Sequence, residues 1–304
     1  MRLITILQAG TSLGSFSQGV EDGPKAMLAE GLVEALEGAG YEVYVAPPIQ
    51  APIIEHKRRD VREFGRLVPW LQALRQQASK SAASGRVLTL GGDHSIALAS
   101  LLATKQQHPR AVCIYIDAHP DCNTPETSPT ANLHGMPLTV ATGEWLTEYF
   151  PGPYWQPAEI CMIGIKDIDP AESAWLQRHG VLHFTMDDVI EQGIGTVMAR
   201  VRSWINGRPV HVSYDIDGID GEYAPGTGIV NSGGLTRREA TYLARQFGKM
   251  HPVAVDLVEV NPHRDQASMT VRLGVELAVQ LMGGSCSAYD TYLKKSADHD
   301  QERL

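Results

Sequence analysis

The chain has 304 residues, 43% of them hydrophobic, and a formal net charge of −9. That is ample material for a large core, while the acidic balance argues against a nucleic-acid partner, whose phosphates demand a basic face. No apolar run approaches the roughly 18 residues that span a bilayer, so no membrane partner is expected. Leu3–Leu7 opens the chain as a strand, and Gln8 and Gly10 interrupt the apolar stretch too early for a signal peptide. Residues 21–40 (EDGPKAMLAEGLVEALEGAG) carry apolar positions at helical spacing, with Pro24 near the start and Gly38–Gly40 at the end. A strand at Tyr41–Ala46 and a helix at Arg62–Ser81 follow. Further strands are expected at Arg86–Leu90, Ala111–Ile116, Glu159–Ile163, Val181–Phe184, Pro209–Tyr214 and Val253–Val258. Further helices are expected at Met186–Gln192, Gly195–Asn206, Thr236–Gly248 and Ala267–Met282. This alternation predicts an α/β fold with a mostly parallel sheet covered by helices on both faces, one catalytic domain over 1–284 and a polar C-terminal tail over 285–304, either mobile or engaged in subunit contacts. Cys113, Cys122, Cys161 and Cys286 are scattered, with no CxxC pair, which points to free thiols and a reducing, cytoplasmic setting.

Two loops, 117–133 and 215–235, are too long for plain connectors. Both begin where a strand ends, the edge at which open parallel sheets bind ligands. The first carries DAHPDCN after AVCIYI, and the second is reached through SYDIDGID after PVHVSY. In an extended segment alternate side chains point one way, so Asp117, His119 and Asp121 converge, and Asp215 and Asp217 repeat the pattern. Four carboxylates a few ångströms apart strongly oppose one another's ionisation. Two divalent cations balance them, and two neutral histidines complete the set. Oxygen-rich coordination with one imidazole per ion favours two Mn2+ per chain over Zn2+, with Fe2+, Co2+ and Ni2+ as alternatives. A water touching both ions becomes a nucleophile near neutral pH. A third run, RVLTLGGDHS, aims His94 at the same sheet edge through a glycine turn, with Asp93 either capping the next helix or orienting a ligand. The plainer reading, strand-end caps and turn formers, suits one Asp better than five ligand-type residues in two repeated patterns. Glu259 ends the apolar strand VAVDLVEV; its carboxylate needs a partner, which a guanidinium fork or a local Arg264 would supply.

Taken together, GGDHS, DAHPDCN, NLHGMP, SYDIDGID and EVNP resemble the ureohydrolase (arginase/agmatinase) family, in family order along nearly the whole chain. The resemblance implies a three-layer α/β/α sandwich with an eight-stranded sheet, assembled as a homotrimer or homohexamer. It implies one metal held by His94, Asp117, Asp121 and Asp215 and another by His119, Asp117, Asp215 and Asp217, with Asp117 and Asp215 bridging. It makes His134 a proton shuttle, with Asp217 or His134 protonating the leaving amine and Glu259 orienting the guanidino group. The loop NTPETSPTANLHGMP resembles the version in arginases, where Asn123, Ser128 and Thr130 match positions that bind an α-carboxylate. IKDIDPAE likewise places Asp169 to hold an α-ammonium, supported by Asp167 and Glu172. Such a pair of readers selects L-arginine, giving L-ornithine and urea; agmatine, guanidinobutyrate, formimidoylglutamate or hydroxyarginine as substrates, or a non-catalytic binding protein, are the alternatives. Without the resemblance, Asn/Ser/Thr turn chemistry and helix capping at Pro170 account for these segments. The chain departs from the family wording at Pro120, Pro129, Ala131, Gly221, Ile229, Val230, Asn231 and Ser232. None of these removes a metal ligand; all bear on the substrate pocket.

Overall fold

A computed structural model describes residues 3–55, 58 and 60–284; the expected tail and Cys286 lie outside them. Eight strands form one sheet: β1 (Leu3–Ala9), β2 (Glu42–Val45), β3 (Arg86–Gly91), β4 (Val112–Ile116), β5 (Ile160–Ile165), β6 (Leu182–Thr185), β7 (Val210–Asp215) and β8 (Ala254–Val258). Their order is β2-β1-β3-β8-β7-β4-β5-β6, and every pairing is parallel. β3, β4, β5, β7 and β8 are buried along their whole length, which is why they read as continuous apolar runs, while the edge strand β2 is half exposed. Helices pack on both faces. Leu32, Val201, Leu243 and Leu277 cover one face, and Leu71, Leu102 and Leu138 cover the other. Among the described residues no helix is long and apolar enough to cross a membrane.

Two helical expectations change. Residues 21–40 are not one helix but Gly23–Ala29 and Leu32–Gly38, because Gly31 takes a left-handed φ of 92° between them. A helix at Ala97–Gln107 has no strong pattern in the sequence because residues 97–105 are buried all round, leaving no polar stripe to mark it.

The topology is what builds the site. The chain leaves β3 and crosses to β4, and β7 and β8 later fill the gap between them. Four segments remote in sequence thus present their carboxyl ends side by side. Gly92 pins this edge: its N–H donates to Ala9 O (3.0 Å) and its carbonyl accepts from Glu259 N (2.8 Å). A Cβ there would lie 1.9 Å from the Thr11 carbonyl oxygen. Gly92→Ala is therefore expected to destabilise the fold by about 2–3 kcal/mol, seen as a lower midpoint in urea unfolding; an unchanged midpoint would contradict the tight packing.

Candidate metal centre

The sites named from the sequence converge. His94 follows β3; Glu259 follows β8; Asp215 ends β7 and Asp217 follows it; Asp117, His119 and Asp121 follow β4. In a first group, His94 Nδ1 lies 2.9 Å from Asp117 Oδ2, 3.1 Å from Asp121 Oδ2 and 3.1 Å from Asp215 Oδ2. In a second, His119 Nδ1 lies 3.4 Å from Asp117 Oδ1 and 3.2 Å from Asp217 Oδ2. Asp117 serves both groups, one oxygen to each. Asp215 joins the first alone by these distances; its other oxygen accepts from Asp217 N (2.8 Å).

This donor set fits a pair of cations. One imidazole nitrogen carries at most one proton, yet three carboxylate oxygens face His94 Nδ1. Asp117 Oδ2 is buried and accepts no hydrogen bond despite its 2.9 Å approach, so that contact is electrostatic and the oxygen is available to an ion. Potential ligand atoms of His94, Asp117 and Asp215, and of Asp117, His119 and Asp217, lie within 4.8 Å of one another. The electrostatics agree. Burial, with Asp121 and Asp217 nearby, pushes Asp117 up to about 6. Burial and the same crowding hold Asp215 well above the carboxylate range. For His94, burial opposes the charged ring but the surrounding aspartates outweigh it and hold its pKa well up. For Asp217, burial is outweighed by His119, which keeps the carboxylate ionised. Positive charge in the pocket would relieve this repulsion, and metal binding there would be coupled to proton release.

A second layer holds these groups in place. His94 Nε2 is 2.9 Å from Ser213 Oγ, its ring stacks on Tyr115 (centroids 4.6 Å apart), and Tyr115 donates to Asp121 Oδ2 (2.8 Å). Thr89, Asp256, Ser213 and Tyr115 form an in-register polar row across β3, β8, β7 and β4, all fully buried. Tyr115 and Ser213 are not among the expected site residues, although each precedes a candidate ligand by two positions on a strand, the spacing that puts side chains on one face. Asp93 caps the turn after β3, accepting from Ser95 N (3.0 Å) and Gly14 N (2.8 Å); of its two expected roles the structure supports the cap. Asp121 (φ 51°) and Glu259 (φ 63°) both hold the left-handed backbone that non-glycine residues avoid.

Above both groups opens a cavity of about 450 Å³. Its walls include Asn123, Ser128, Thr130, Asp167, Asp169, Glu172, His134 and Glu259. Asn132, absent from the expected set, also lines it and buries an unpartnered Oδ1. Glu259 Oε1 accepts from His94 N (3.1 Å) and lies 3.5 Å from His134 Nδ1, while Arg264 donates to Gly228 O. Burial opposes a charged His134, but Glu259 outweighs it and raises the ring to about 9. Asn123 Nδ2 donates to Asp169 Oδ2 (2.8 Å). Asp169 Oδ1 accepts from Ala171 N and Glu172 N, and Glu172 returns a bond to Asp169 N, so both acids cap helix Pro170–His179 while facing the cavity. Burial, then Asp121, pushes Glu172 up to about 8.

Comparison with known proteins adds a family. The Arginase family model matches residues 2–283. The hepatic arginase of Aquarana catesbeiana is 36% identical over 295 residues, covering 92% of this chain and 91% of its own length. The arginase structure from Bacillus caldovelox superposes with a TM-score of 0.88 at 31% identity, over 94% of this chain and all of that one. An Entamoeba histolytica arginase in complex with L-ornithine gives 0.85 at 31% identity, over 93% and 98%.

If each group holds one ion, Asp217→Ala is expected to weaken the ion beside His119 by more than about 100-fold while the His94 side keeps its own. Metal analysis after dialysis would then fall from two ions per chain towards one; full retention would contradict the grouping.

Proposed function

This chain belongs to the arginase family, hydrolases of guanidino C–N bonds, and we propose that its substrate is L-arginine and its products L-ornithine and urea. The observation that supports the proposal is the pair of histidine-centred carboxylate groups sharing Asp117 beneath a cavity whose lining carries amide and hydroxyl groups as well as acids. His94, Asp117, Asp121 and Asp215 would hold one ion, and His119, Asp117 and Asp217 the other, Mn2+ in each case; Asp215 would join the second only by turning its Oδ1 from Asp217 N. Bound there, the ions supply Lewis acidity that makes water a nucleophile near neutral pH.

The chain's own residues supply the rest. Glu259 accepts the planar guanidinium through charge-assisted hydrogen bonds, orienting its central carbon over the centre. His134 carries a proton at neutral pH because Glu259 lies beside it. An arriving guanidinium competes for that carboxylate and repels the imidazolium, so the proton becomes easier to release to the departing amine nitrogen. Asp217, kept ionised by His119, is the poorer donor of the two expected from the sequence. Asn123, Ser128 and Thr130 would read the α-carboxylate, and Asp169 with Glu172 the α-ammonium. We further take the protein to be cytoplasmic and a homotrimer or homohexamer.

One observation favours a second reading. Both acids assigned to the α-ammonium already cap a helix, and Glu172 is held largely protonated near neutrality. A guanidino acid lacking the ammonium, such as 4-guanidinobutyrate, would not need them. Steady-state kinetics with L-arginine, agmatine and 4-guanidinobutyrate, scored by urea release with Mn2+, separates the readings; a higher kcat/KM for either analogue would overturn the L-arginine assignment. Thr130→Val is expected to lower kcat/KM for L-arginine about 10-fold, the value of one hydrogen bond to a charged group at an exposed rim, and to leave agmatine nearly unchanged. Equal losses would remove its carboxylate role.

A further inference from the structure

Resting on the two-ion reading above, we infer that Tyr115 is a positioning residue for one ion of the pair, the one on the His94 side, acting through Asp121 and His94. Tyr115 is the penultimate residue of the buried strand β4 and is fully enclosed. Its hydroxyl donates to Asp121 Oδ2 at 2.8 Å and lies 3.1 Å from His94 Nδ1. Its ring lies flat on the His94 imidazole, with 6° between the planes. One side chain therefore touches two of the four members of the first group, at the very atoms that face the prospective ion.

Both members need such support. Asp121 sits on the irregular loop after β4, not at a strand end as Asp215 does, and Tyr115 is the hydrogen-bond donor to its Oδ2. The Tyr115 hydrogen bond aims the Asp121 oxygen at the ion position. Ser213 holds the far nitrogen of His94, and the Tyr115 ring fixes the plane in which Nδ1 points. With an ion at Nδ1, that nitrogen has no lone pair left for the hydroxyl, and Asp121 becomes its acceptor. Partners that orient metal ligands in this way are worth about 10–100-fold in affinity. The second group has a different support: Asp117 Oδ1 accepts from His119 N (2.7 Å), and Asp217 Oδ1 faces Ala118 N (3.5 Å). The inference is thus asymmetric, and the asymmetry is what distinguishes positioning from a general packing role.

The test is a Mn2+ titration of apo protein, following free Mn2+ by electron paramagnetic resonance, for wild type, Tyr115→Phe, Asp121→Ala and the double variant. Phe keeps the ring stack and removes the hydroxyl alone. The expected result is two ions in wild type, one Kd unchanged and the other raised about 10–100-fold in Tyr115→Phe. In the Asp121→Ala background, Tyr115→Phe should add little, because its route to the ion is already cut. Equal weakening of both ions, no weakening of either, or the full additional loss in the double variant would overturn the role of Tyr115 and leave the two-ion reading standing. Fewer than two ions in wild type would overturn both.

Discussion

Four aspartates crowd a buried pocket, and their mutual repulsion governs the design of this molecule. At about 4 Å, two like charges repel by roughly 4 kcal/mol in an effective dielectric near 20. Several such pairs rival the roughly 5–15 kcal/mol by which a domain is stable at all. Asp117, Asp215 and Asp217 are almost fully enclosed, so solvent cannot screen them. Burial and mutual repulsion hold Asp117 and Asp215 above the ordinary carboxylate range, and the surrounding aspartates hold the His94 ring up. With ions, the same carboxylates become ligands. Retaining so unfavourable a cluster is intelligible when something positive belongs there, and the chemistry of the arginase family requires it.

The sheet order answers the question of how such a cluster is assembled. The candidate metal ligands come from the tips of β3, β4 and β7, and Glu259 from the tip of β8, strands far apart in the chain yet adjacent in the sheet. Hydrogen bonds then lock the tips together: Glu259 N to Gly92 O joins β8 to β3, and Leu138 N to Asp121 O (3.3 Å) ties the β4 loop to a following helix. The two candidate residues with strained backbones, Asp121 and Glu259, sit at those junctions. Strain of this kind costs about 1–3 kcal/mol per residue and persists where the surroundings over-determine the conformation.

Much of this was legible in the sequence, for a physical reason. The inner strands β3, β4, β5, β7 and β8 are buried on both faces and read as largely apolar runs, and all eight strands lie within two residues of where the sequence places them. The i, i+2 spacing of Asp117, His119 and Asp121, and of Asp215 and Asp217, announced shared pockets. The obscured parts have equally concrete causes. The helix at 97–107 has no solvent face to give it a period. The break at Gly31 depends on one left-handed residue within an apparently continuous helical pattern. Tyr115 and Ser213 looked like ordinary strand residues, although their parity with Asp117 and Asp215 marked them. The sequence offers Asp169 either as a cap of the helix at Pro170 or as a substrate contact, and Glu172 as a substrate contact alone; in the structure both cap that helix on the wall of the cavity. Family resemblance, rather than periodicity, supplied the division of ligands between two ions.

Anomalous diffraction at the manganese edge, from crystals grown with Mn2+, tests the central claim most directly. The account predicts two peaks per chain about 3.5–4 Å apart, one against His94, one against His119, and both in contact with Asp117. A single peak, or a pair lying away from Asp117, would contradict it.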